Sequence, residues 1–174
     1  MTIIPAVLIT ADLVESFGWF AGEPPKWKCP RTSLGGLTAA GSLCLSVPLL
    51  LPREAGEYLF ALVWVGFILL LEPANYRLRL SSLLRDVEEG RHSRLYALLV
   101  SGWVCGWLWE FWNYWAAARW QYTFPMFQRW KIFAMPAPGY LGFLPFALEC
   151  SVMAVFARWL VEKLRARFVR VLRA

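Results

Sequence analysis

Charge is scarce in this chain: 17% of its 174 residues are Asp, Glu, Lys or Arg, where soluble domains carry about 25%. Histidine is scarcer. His92 stands alone in a charged segment, which excludes a bis-histidine haem or a His-rich metal site within the chain. The cysteines are Cys29, Cys44, Cys105 and Cys150, and no two have zinc-finger or redox spacing. Cys44, Cys105 and Cys150 sit in apolar runs and read as small core residues. There is no G-x-S-x-G elbow, P-loop or zinc motif. The sequence therefore implies no cofactor and no metal.

What the chain does have is apolar. Hydrophobic residues make up 59%, aromatics 17%, and tryptophan occurs 11 times. Mean hydropathy is +0.46. So short a chain cannot bury that excess within itself, and lipid is expected to cover part of it. Aromatics at this density mark membrane interfaces or ligand cavities. The net charge of +6 would suggest nucleic acid in a soluble domain. In a membrane protein, basic loops are the ordinary consequence of the positive-inside rule, so nucleic acid is not expected as a partner.

Five apolar runs predict an all-α bundle of about five transmembrane helices, at 2–20, 33–51, 56–71, 95–116 and 139–160. The first run carries Asp12 and Glu15, lacks a basic leader and reads as a retained helix. The second crowds Gly35, Gly36, Ala39, Ala40, Gly41 and Ser42 into its first half, and small residues let helices approach closely in lipid. Between the third and fourth runs, Ser81 or Ser82 is placed to cap a short amphipathic helix ending at Gly90. The bundle occupies 1–160. Residues 161–174 form a basic amphipathic tail, in which Lys163, Arg165, Arg167, Arg170 and Arg173 alternate with Leu164, Phe168, Val169 and Leu172. Such a tail suits an anionic membrane surface.

Charge also orients the bundle. With the N-terminus outside, Lys26, Lys28 and Arg31, then Arg77, Arg79, Arg85, Arg91 and Arg94, then Arg158 and the tail, are cytoplasmic. Arg53, Arg119, Arg129 and Lys131 are outside. That puts fourteen of the 18 basic residues inside, as expected of a multi-pass protein of a bacterial inner membrane.

Residues 103–150 hold the chemistry. Helical spacing lines up Trp103, Trp107, Glu110 and Tyr114 on one face, with Trp109 beside them and Asn113 one turn from Glu110. Glu110 lies six residues, or about 9 Å, inside its helix end, and Glu149 ten residues, or about 15 Å, past Gly139. Acids at such depths are functional-site candidates by default. Both descend from the same side, so they are expected to share one cavity and one proton. The structural alternative is that the aromatics form an interfacial belt and that the acids pair with Arg119, Arg129 or Asn113.

The order Trp109-Glu110, then Trp120-Gln121-Tyr122, then Pro136, then a helix with Phe143, Phe146 and Glu149 resembles the lycopene cyclase-type domain of integral membrane terpene cyclases. The resemblance covers 103–150. It departs from that pattern in having one acid, after Phe146, where those cyclases have two adjacent acids. The strings Trp-Glu-Phe-Trp-Asn-Tyr-Trp and Gly-Phe-Leu-Pro-Phe-Ala-Leu-Glu-Cys also resemble small Trp-rich bacterial polytopic membrane proteins of unassigned activity. The cyclase resemblance implies an isoprenoid, carotenoid or other lipidic ligand. Glu110, Glu149 and Asn113 would carry acid–base chemistry, and Trp103, Trp107, Trp109, Tyr114, Trp120, Tyr122, Phe143 and Phe146 would line the site. The contrasting expectation is a non-catalytic accessory subunit of a pigment- or quinone-associated membrane complex, with partner subunits against its tryptophans.

Cysteine labelling in whole cells checks the orientation. A cysteine placed at Arg173 should stay unreactive toward an impermeant reagent added outside. Labelling there would reverse the assignment.

Overall fold

The computed structural model describes residues 2–20, 22, 31–123, 127 and 129–173, and the side chains of all of these except 31, 32, 172 and 173. Lys26, Lys28, Cys29 and Phe124, and the side chains of Arg31, Leu172 and Arg173, lie outside that description.

The described chain is mostly helical. Its helices are α1 (Ile3–Ser16), α2 (Arg31–Leu50), α3 (Arg53–Gly56), α4 (Ala61–Arg77), α5 (Leu83–Glu88), α6 (Ser93–Trp115) and α7 (Phe143–Arg173). Between α6 and α7 stand two short antiparallel strands, Lys131–Ile132 and Met135–Pro136, and a 3-10 helix, Ala137–Gly142. Two stretches, Ser33–Leu50 and Ala137–Val171, are long and apolar enough to cross a membrane.

Helix α7 is the hub, packing against α4, α6 and α1, while α2 rests on α4. Val7, Ala11 and Val14 recur at helical spacing on α1 and meet Ala97, Leu98 and Cys105 of α6 and Ala147 and Cys150 of α7 in the core. Helices α6 and α7 are antiparallel, because Gly102 faces Ala147 while Trp107 packs on Tyr140. At this crossing the missing side chains of Gly102 and Gly106 make room for Phe143 and Ala147. Of the small residues expected to promote close packing in α2, Gly41 does so: a Cβ there would come within 2.5 Å of the Leu70 backbone. Gly35 and Gly36 face open space.

The element boundaries differ from the expected spans in three places, each with a local cause. The third run is broken: Pro52 caps a single turn, α3, and α4 starts only at Ala61. Helix α4 then continues through Pro73 to Arg77, because its polar residues find partners inside the protein. Glu72 accepts from the Ser82 hydroxyl at 2.6 Å and the Leu84 amide at 3.0 Å, and Asn75 donates to the Val152 carbonyl at 3.1 Å. Ser82 also caps α5, accepting from the Arg85 amide. In the last run, the proline-rich stretch before Phe143 forms the 3-10 helix, and α7 begins after it. No glycine or proline follows Pro145, so the basic tail is a continuation of α7 and not a separate segment. The two acids of α1, Asp12 and Glu15, both pair with Arg94 at the start of α6.

The crossing of α6 and α7 yields a stability prediction. Gly102→Ala should lower the thermal midpoint in detergent by the equivalent of about 1–3 kcal/mol, since its Cβ would strike the Phe143 carbonyl and Ala147. Gly35→Ala, in open space on α2, should be neutral or stabilise by up to about 1 kcal/mol.

Candidate functional site

Glu110 lies in the penultimate turn of α6 and is fully buried. The chain leaves that helix at Ala116 and turns back over it. Asn113 holds the returning strand with both ends of its amide. It donates to the Trp120 carbonyl at 3.1 Å and accepts from the Trp120 N–H at 3.0 Å. The expected bond from Asn113 to Glu110 is thus replaced by a clamp on the loop. Tyr122 lies two residues further along and reaches inward, and its hydroxyl donates to Glu110 Oε1. The Trp120 indole N–H donates to the Tyr122 oxygen at 3.1 Å. Trp120, Tyr122 and Glu110 thus form one hydrogen-bonded relay.

The other oxygen of Glu110, Oε2, is buried without a hydrogen-bond partner among the described residues, as is Trp107 Nε1 one turn earlier on α6. Burial, reinforced by the Glu110 carboxyl beside it, holds the Tyr122 phenol well above the ordinary tyrosine range. It therefore stays a neutral hydrogen-bond donor.

Tyr122 also forms part of the wall of an apolar pocket of about 510 Å³, within the range of small-molecule sites. Phe60, at the N-cap of α4, and Trp64 and Val65 of α4 line it together with Met135, Pro138, Leu141 and Pro145. Among the described lining residues, the Tyr122 hydroxyl and the Trp64 indole N–H are the side-chain hydrogen-bonding groups. The proline-rich 3-10 helix shapes the pocket, and Gly142 leaves room for the Trp64 ring.

The remaining expected site residues are distributed around this relay. Trp107 packs on Trp103, Phe133 and Tyr140. Trp109 meets Phe146 edge-on at 6.1 Å, and Phe143 fills the space beside Gly106. Tyr114 is on the exposed side of α6, against Trp115 and Phe133. Trp120 and Trp130 are exposed, so the aromatic loop lies back on the bundle chiefly through Tyr122 and Phe133.

Glu149 is buried on α7, and its Oε2 has no partner among the described residues. It does not meet Glu110. Glu110 lies past Gly106 toward the loop, and Glu149 lies past Ala147 in the opposite direction, so the antiparallel crossing separates them. No hydrogen bond joins the two acids, and the expected proton-sharing pair is not formed. The partner of Glu110 is Tyr122, two residues past the Trp120 that Asn113 clamps.

Sequence reasoning missed Phe60, Trp64, Met135, Pro138, Leu141 and Pro145 as pocket residues. Phe60 and Trp64 look like ordinary residues of an apolar span, and nothing local marks them as facing a cavity. Proline density around Pro136 and Pro138 was the available signal for an irregular wall.

Removing the clamp should loosen the relay. Asn113→Ala leaves the backbone of Trp120 unpartnered and should cost about 1–3 kcal/mol. Amide exchange at Trp120 should accelerate, while amides in the middle of α7 keep their protection.

The chain matches no protein-family model, no curated protein and no solved structure.

Proposed function

We propose that this is a five-span integral membrane protein whose apolar pocket takes an isoprenoid, carotenoid or similar lipidic ligand, with Tyr122 and Glu110 as its proton-transfer pair. One observation carries the reading: an apolar cavity of about 510 Å³ whose wall includes a tyrosine bonded to a fully buried glutamate. A polar substrate would find few partners there, whereas a hydrocarbon would find aromatic faces and one proton source.

The membrane setting is supported by the two apolar helices and by large side chains left in the open, among them Leu49 and Leu50, which are 84% and 82% exposed. Helices α1 and α4 have 14 and 17 residues, about 21 and 26 Å of rise, and would span with help from the residues flanking them. The proposed orientation is the one the basic residues favour, with the pocket toward the outer side.

The chemistry follows from the relay. With an alkene in the pocket, Tyr122 turns its hydroxyl to the double bond and gives its proton to one carbon. A neutral Glu110 gives its own proton to the phenol oxygen in the same step, so no free phenolate forms. The carbocation left on the neighbouring carbon is held by the faces of Trp64 and Phe60. An adjacent carbon then loses a proton to the Tyr122 oxygen as Tyr122 passes its own proton back to Glu110, which restores the site. The net result is isomerisation or ring closure, with no oxidant or reductant consumed. Glu149 lies one turn past Pro145 on α7, is not among the lining residues and would act on packing.

A second reading, a non-catalytic accessory subunit, is favoured by Trp112 and Trp115. These are 64% and 69% exposed on α6 and offer a surface to a partner helix.

Lipid extraction and mass spectrometry of the purified protein distinguish the two. The wild type should carry an apolar ligand, and Gly142→Leu, which crowds the place of Trp64, should lose it. Tyr122→Phe and Glu110→Gln should keep the ligand and fail to convert it, with losses of about 100-fold or more. Glu149→Gln should leave conversion within a few-fold of wild type. A protein that purifies free of lipidic ligand but bound to a second membrane protein through Trp112 and Trp115 would decide for the subunit.

A further inference from the structure

At the other end of α4 from the apolar pocket lies a cavity of different character. It measures about 580 Å³ and is lined by Leu34, Tyr76, Arg77, Arg79 and Arg85. Three arginines share its wall, and no Asp or Glu is among the described lining residues. Of the acids nearby, Glu88 accepts from the hydroxyl of the wall residue Tyr76, Asp86 and Glu89 pair with Arg91, and Glu72 is held by Ser82 and Leu84.

Arg85 is fixed in place. It donates to the Leu80 carbonyl at 3.0 Å and the Tyr76 carbonyl at 2.6 Å, and lies over the Tyr76 ring at 5.2 Å. A guanidinium has five N–H donors, so donors remain for a ligand. Arg77 and Arg79 are exposed, and neither forms an ion pair among the described residues.

The backbone of Arg79 carries a further sign. Its φ is +58°, in the left-handed region, where it closes α4 as the Leu80 N–H bonds back to the Asn75 carbonyl at 3.0 Å. Helix ends of this kind ordinarily take glycine, and a side chain there is strained. An arginine held in that position offers the chain no packing benefit, since it is exposed, but it places a third cation on the cavity. Leu34 belongs to the first turn of α2, and the N-terminal end of a helix carries positive potential.

We infer that this cavity between the start of α2 and the end of α4 binds a phosphate ester or free phosphate through Arg77, Arg79 and Arg85. A planar carboxylate is satisfied by one guanidinium fork. Three guanidiniums around one volume match an anion with several acceptor oxygens. Leu34 leaves one side apolar, as an acylated phosphate would need. The site is separate from the Tyr122 pocket and does not depend on what fills that pocket.

Native mass spectrometry of the full chain in a maltoside detergent tests this, with phosphatidylglycerol, sodium pyrophosphate and uncharged diacylglycerol as probes. The variants are Arg77→Gln, which sits at an exposed helix end, and Arg79→Gly. The glycine relieves the left-handed strain, so Arg79→Gly should unfold at the same temperature as wild type or higher while still losing ligand. Phosphatidylglycerol retention should fall about tenfold in each variant, with diacylglycerol unaffected. If pyrophosphate leaves the bound lipid in place, the ligand is a lipid headgroup. If pyrophosphate binds the wild type, displaces the lipid and is lost in the variants, the ligand is a soluble phosphate. Wild-type protein that retains neither probe, or variants that retain them as well as wild type, would overturn the site.

Discussion

The close crossing of α6 over α7 is the contact on which the rest of the molecule depends. Gly102 and Gly106 remove two side chains where Phe143 and Ala147 need the space. In lipid, helices gain little from hydrophobic burial against one another, so close backbone approach and dispersion contacts carry much of the association. Because the two helices meet this closely, Trp107 reaches Tyr140, Trp109 reaches Phe146, and the 3-10 helix before α7 is brought beside the end of α6. The loop that joins them must then fold back over a surface already set by the crossing.

That return is where the fold becomes chemistry. Asn113 treats the loop as a strand, pairing with both backbone groups of Trp120. In an extended chain, residues two apart point the same way, so Tyr122 falls on the same side as Trp120 and finds Glu110. A buried carboxyl is costly without partners. Here one oxygen is satisfied by a phenol, and the other is buried without a partner among the described residues. The same tyrosine belongs to the wall of the apolar pocket, so the polar relay and the pocket share one residue.

The polar end of the molecule is organised differently. Glu72, Ser82 and Asn75 are buried and bonded within the protein, which carries α4 past Pro73 and sets where its last residues emerge. Arg77, Arg79 and Arg85 converge there because α5 is tied back to α4 through Glu72. Apolar side chains at one end of α4 and arginines at the other agree with the proposed membrane setting.

Much of this was legible in the residues themselves. Long apolar runs with little charge specify helices, because only a helix satisfies its own backbone where water is absent. The short helix after Ser82, the burial of Glu110 and the irregular stretch around Pro136 and Pro138 can all be read from spacing and residue type. The pairing of Glu110 with Tyr122, and its separation from Glu149, cannot. Depth along a helix gives the level of a side chain but not its neighbours, and two acids that enter from one side are kept apart by the register in which α6 crosses α7. The aromatic wall supplied by Phe60 and Trp64 is likewise invisible in the sequence, since an apolar residue facing a cavity is the same in composition and period as one facing lipid. Local chemistry determined which elements form and which residues are costly to bury, while the helix crossing, through steric contact at two glycines, decided which of those residues meet.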